Sequence, residues 1–207
     1  MKGNLFAAVC LFAGIGCGMW FGESLLVYCE GLSTMLLYVL IVQVGLNIGS
    51  KGEWSGMLHN LRFSYLLLPL FTIVGTLAFS ALAGVVFTPW SLNDCLAVGS
   101  GLGYYSLSSL LIVQLKGASA GAEVASQLAS VALLTNIVRE MIALFGASVF
   151  VRYFGRFAPI AASGVTSMDV CLPVICRWSG QNAAPVAIVH GVVLEVSVPL
   201  LVSFFCG

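Results

Sequence analysis

The chain has 207 residues, of which 60% are hydrophobic and 8% charged, with a formal net charge of zero and a mean hydropathy of +1.07. That composition excludes a soluble globular domain and a basic nucleic-acid surface, and it describes an integral membrane protein. At roughly 20 residues per crossing, the length holds six or seven helices and leaves no chain for a separate catalytic domain. Long apolar segments, rather than short alternating ones, also exclude an outer-membrane barrel. The expected fold is all-α: a polytopic membrane helix bundle of about seven spans, two of them interrupted (broken or re-entrant), forming one transmembrane domain over residues 1–207.

In chain order, apolar runs between polar breaks place spans at Leu5 to Phe21, Leu32 to Ile48, Phe63 to Phe87, Leu92 to Leu115, Leu128 to Val151, Phe157 to Ile175 and Pro185 to Cys206. The first run imitates a signal peptide, but it continues through Trp20 and Phe21 and more spans follow, so a retained helix is expected. Within it, Gly14, Gly18 and Gly22 recur every fourth residue, a spacing that lets another helix approach closely. The seven cysteines are scattered through apolar segments without a CxxC pair and with only two histidines, so they read as small buried hydrophobes; no metal or other cofactor is expected. Under the positive-inside rule, Lys2, Lys51, Arg62, Lys116 and Arg177 fall in the cytoplasm. Arg152 and Arg156 are left outside beside Glu23, Glu30 and Asp94.

Two segments look interrupted. Residues 97–110 place three glycines, three serines and the pair Tyr104 and Tyr105 at membrane depth. Unwound backbone survives in a bilayer only when buried in protein or lining a wet cavity. The second segment brackets Thr166, Ser167 and Asp169 between Gly164 and Pro173. Superposed at Ser100-Gly101 and Ser163-Gly164, the two form a faint repeat that sets Ser106 opposite Asp169. Paired interruptions in corresponding spans point to a secondary transporter whose half-helix ends meet near the midplane. A pair of simple glycine kinks is the plainer alternative.

Between these segments lies Thr135-Asn136-Ile137-Val138-Arg139-Glu140. Helical phase puts Asn136 and Glu140 on one face with Ala129, Ala132, Ala143 and Ala147, so the polar stripe is the small-residue stripe and faces protein. Arg139 is displaced around the helix and is expected to be a structural partner of a carboxylate. Glu140 and Asp169 together outnumber it, and the excess negative charge calls for a mobile cation or proton. Because low dielectric favours the neutral form of a carboxylate, either acid can take a proton and release it on rewetting. The two are therefore expected to hold protons and an ammonium-bearing substrate in alternation. In the last span, His190 can titrate near neutral pH but, as a lone histidine, also fits a hydrogen-bonded packing role. Glu195 points away from it and is expected to pair with Arg139 or to face a partner subunit.

The run Ser100 to Ser108, the pair Arg139-Glu140, Gly164 to Asp169 with Leu172-Pro173-Val174, and Pro185 to Gly191 together resemble the bacterial lysine exporter family LysO. The resemblance implies a multi-pass exporter in the bacterial inner membrane for L-lysine and its analogue thialysine, driven by a cation or proton gradient. It also places Glu140 and Asp169 at the family's intramembrane acidic pair. Glu195 departs from the family pattern, where a neutral residue is expected. The chain reads as a short form without the leading spans, to be completed by a homodimer or by a second small membrane subunit.

Two other readings compete. A small monovalent cation/proton antiporter would use the same acids, although a carboxylate-bearing cargo would also engage half-helix N-termini and donors such as Ser106 or Thr166. A membrane subunit that needs a partner chain to transport is the other. An enzyme is not expected, since neither HExxH nor GxSxG is present.

Overall fold

In the computed structural model the chain divides into two units, Met1–His59 and Asn60–Gly207. The structure describes residues 63–86 and 90–207, and in the first unit only the helical residues Ala13, Gly16, Cys17, Met19 and Trp20. The rest of the first expected span, the whole of the second and the Gly14, Gly18, Gly22 ladder lie outside the described residues.

A 3₁₀ turn leads into α1 (Leu67–Val86), followed by α2 (Leu92–Gly99), α3 (Tyr105–Ala120), α4 (Ala122–Phe154), α5 (Ala158–Ser163), a 3₁₀ segment Gly164–Met168, α6 (Leu172–Ser179) and α7 (Ala184–Cys206). No strand occurs among the described residues. Local sequence sets these boundaries. Ser91 and Asp94 close a capping box at the start of α2, and α5, α6 and α7 each carry a proline in the first turn, where its missing N–H costs nothing. Among the described residues, three helical stretches are long and apolar enough to cross a membrane: Leu67–Val86, Ala122–Phe154 and Gln181–Cys206. With 33 residues, α4 is about 50 Å long, well beyond the ~30 Å of a hydrocarbon layer. Arg139 and Glu140 lie at its middle.

The packing gives each helix a direction. Tyr65, just before α1, meets Phe157, just before α5, with ring centroids 6.0 Å apart. At the other end of α1, a Cβ on Gly84 would touch Cys95 and Leu92 of α2. Lys116 Nζ lies 2.8 Å from Asp94 Oδ1, so α3 ends where α2 begins. The helices α5 and α6 do the same at the opposite end: Ile160, Ile175 and Ala183 share one core cluster with Ala143 and Leu144 of α4. The C-terminal residues of α7, Val198, Val202 and Cys206, pack instead with Ala97, Leu128 and Ala129.

Two expectations are corrected here. The stretch Leu92 to Leu115, read as a single crossing, is two helices that leave and return to one end, so Asp94 and Lys116 cannot be assigned to opposite sides. Arg177 likewise shares an end with Arg152 and Arg156 rather than opposing them, because α6 runs back toward the C-terminal end of α4. A hydropathy profile records apolarity at each position but carries no direction.

Candidate functional site

The two short-helix segments touch where their turns meet. The Val165 N–H donates to Leu102 O at 2.9 Å, and Gly103 N–H donates to Asn136 Oδ1 at 2.8 Å. Asn136 also donates through Nδ2 to Ala132 O at 2.9 Å and to Ser108 Oγ at 3.4 Å. A buried amide thus fixes the turn after α2 against the middle of α4, leaving little of its hydrogen-bonding capacity unused. Gly164 has φ 66°, and a Cβ there would collide with Leu102 O and sit 3.2 Å from Arg139 Cζ. Only glycine admits both the left-handed backbone and the close approach.

Asn136 and Glu140 occupy the buried alanine face of α4: Ala129, Ala132, Ala143 and Ala147 are at most 6% exposed, Asn136 is 3% exposed and Glu140 is 9%. The Glu140 carboxyl makes no hydrogen bond or ion pair among the described residues. The Asp169 carboxyl lies within electrostatic range of Glu140, and Glu195 lies within range of Asp169. Tyr104 feels Glu195 and Asp169, and Tyr105 feels Glu140 and Asp169. The Asp169 carboxyl accepts from main-chain N–H groups of its own turn, those of Val170 and of Asp169 itself.

The expectation that Arg139 pairs with a carboxylate is not met. Its Nε donates to Ala162 O at 2.9 Å and its Nη2 to Ala161 O at 3.0 Å. These are carbonyls in the last turn of α5, where orphan acceptors and the negative end of the helix dipole favour a cation. Glu195 therefore has no ion pair with Arg139. Lys116–Asp94 is the ion pair found among the described residues, and it lies at one end of the unit, away from the three acids.

The remaining expected site residues separate into two groups. His190 is fully buried, with Nδ1 3.2 Å from Ser167 Oγ and Nε2 3.0 Å from Thr72 Oγ1. Ser167 and Thr72 further donate to Ala187 O and Leu68 O, both at 2.9 Å. This chain of contacts ties α1, the 3₁₀ segment and α7 together, which is a packing arrangement. The Thr166 hydroxyl is likewise committed, donating to Ser163 O at 3.0 Å. Ser106, by contrast, makes no hydrogen bond through its hydroxyl among the described residues; its carbonyl accepts from the Ser109 hydroxyl. The site residues Ser106, Tyr104, Tyr105, Glu140 and Asp169 are thus those with polar groups left uncommitted or facing the acids. Thr72 was missed by the sequence reading. The signal was available: Thr72, Thr76 and Ser80 recur every fourth residue in an otherwise apolar α1.

The family model described as Lysine exporter LysO matches residues 8–206. The chain is 30% identical over 184 residues to the protein named Lysine exporter LysO of Escherichia coli, an alignment covering 89% of this chain and 58% of that protein. It is also 30% identical over 206 residues to the Putative lysine exporter of Haemophilus influenzae, covering 98% of this chain and 96% of that one. The chain thus spans less than two thirds of the Escherichia coli relative's length. No solved structure matches it.

Proposed function

The chain belongs to the lysine exporter LysO family, and from that premise we propose that it exports L-lysine across the bacterial inner membrane in exchange for protons, with Glu140 and Asp169 as the alternating sites for proton and ammonium. The observation that carries this reading is the state of Glu140: buried to 9% exposure, within electrostatic range of Asp169, and unpaired, the adjacent arginine being turned toward backbone carbonyls of α5. An ionised carboxylate there is strongly disfavoured unless neutralised. A proton or a substrate ammonium supplies that neutralisation, and competition between them for one pair of acids is exchange.

The fold reading that goes with this function makes α2–α3 and α5–α6 two re-entrant hairpins entering from opposite faces. Their contact at Leu102 and Val165 then lies near the midplane, the usual place for a secondary transporter's site. Sidedness supports it. Arg152, Arg156 and Arg177 share one end, while Lys116 at the other is neutralised by Asp94 and accompanied by Glu123. Counted over the described residues, three arginines at one end against Lys116 at the other favour the arginine end as the cytoplasmic one.

Counterflow of radiolabelled lysine in liposomes containing the chain tests the proposal. Unlabelled lysine should compete, while glycine and Na⁺ should not. Glu140→Gln and Asp169→Asn should each insert normally and each abolish exchange. Full exchange by both variants rejects the role of the acids, and inhibition by Na⁺ alone would point to an ion antiporter.

A further inference from the structure

A groove of about 610 Å³, open on one side at the exposed Phe71 and Phe79 and mostly apolar, lies between α1, α2, α4 and α5; its polar lining is Thr76 and Ser80 of α1 and Thr135, Asn136 and Arg139 of α4. Its volume is in the range of small-molecule sites. Two features make it more than a packing gap. First, the hydroxyls of Thr76, Ser80 and Thr135 make no hydrogen bond among the described residues, although each borders the same space. Second, Arg139 uses Nε and Nη2 for the α5 carbonyls and leaves Nη1 without an acceptor. A guanidinium carries five N–H donors and stays charged in proteins. Carbonyl dipoles satisfy its geometry in part, but they do not neutralise its charge, and no carboxylate of the described residues pairs with it.

Resting on the export reading above, we propose that this groove is the carboxylate subsite of the cargo: Arg139 Nη1 and the hydroxyls of Thr135, Thr76 and Ser80 bind the carboxylate of an α-amino acid. Arg139 and Glu140 are successive residues, about 100° apart around α4, so one turn of one helix presents an unpaired cation and an unpaired anion on adjacent faces. A zwitterion with an additional ammonium complements that pattern; a plain diamine complements only half of it. Charge-assisted bonds to a carboxylate are the stronger class of hydrogen bond and are planar and directional. The site therefore selects amino acids over the corresponding amines.

The test compares lysine with 1,5-diaminopentane, which keeps both amino groups and lacks the carboxylate, as competitors of labelled lysine counterflow by the full chain in liposomes. Lysine should compete better than the diamine by on the order of tenfold or more. Arg139→Gln should collapse that ratio toward one by weakening lysine and sparing the diamine. The double variant Thr76→Val/Thr135→Val, which leaves the α5 contacts in place, should reduce it severalfold and serves if the arginine variant does not fold. Equal competition by the diamine in the unaltered protein overturns the subsite, as does an unchanged ratio in either variant. If the unaltered protein moves labelled diamine but not lysine, the subsite alone fails; if it moves neither, the export reading fails and the subsite with it.

Discussion

Glu140 and Arg139 are neighbours in sequence with opposite fates, and the difference is one of phase. Glu140 falls on the alanine stripe, which the spacing of Ala129, Ala132, Ala143 and Ala147 makes readable from the sequence, and its burial follows directly. Arg139 falls on the next face, where its acceptors are main-chain carbonyls 22 and 23 residues away. Backbone acceptors have no side-chain signature, so their identity was not legible. Asn136 is a similar case: its burial follows from phase, whereas its bond to Gly103 N–H depends on how the turn after α2 is placed. Asn136→Ala removes that acceptor and strands a buried donor, which should cost about 1–3 kcal/mol; a lowered unfolding midpoint in detergent is the readout, and an unchanged midpoint would show that the amide fixes nothing. Gly164→Ala meets both a left-handed φ and the Leu102 carbonyl. It should be destabilising by on the order of 1–3 kcal/mol or more, and should lower the yield of folded protein more than Gly117→Ala, where nothing lies within 4 Å.

The helices raise a different question, because apolarity marks where chain lies in the membrane and says nothing of which way it runs. The glycines at 99, 101 and 103 are visible in the sequence, and α2 ends at Gly99. What no local pattern states is that α3 returns to the end where α2 began; only the ion pair of Lys116 with Asp94 reveals it. On the re-entrant reading proposed above, α4 runs opposite to the direction that one crossing per apolar run implies, and the exception at Arg152 and Arg156 falls away. In that proposed topology the two inversions cancel for α7. In a cysteine-free background, single cysteines at Ser91 and Ser119 should both react with an impermeant maleimide from outside intact cells, and cysteines at Arg156 and Gln181 should react only after permeabilisation. Labelling of Ser91 and Ser119 from opposite faces would restore the single crossing and exclude the hairpin.

At the scale of the whole molecule, the described unit concentrates its uncommitted charge at its centre. Three carboxyls and one guanidinium lie around the meeting point of two turns, while the charges at the ends are paired or solvent-facing. Hydropathy and the resemblance to a family together exposed the class of protein, since composition alone demands a membrane and the scattered motifs fall in one order. The arrangement of half-helices around the acids needed coordinates, because it depends on contacts between residues 60 and more positions apart, such as Leu102 with Val165. The central claim is that ammonium and proton compete for the same carboxyl pair. Purified protein in weakly buffered detergent tests it most directly: added lysine should release protons near neutral pH, and a Glu140→Gln/Asp169→Asn variant should release none. Lysine binding without proton release, or undiminished release from the double variant, would contradict the account.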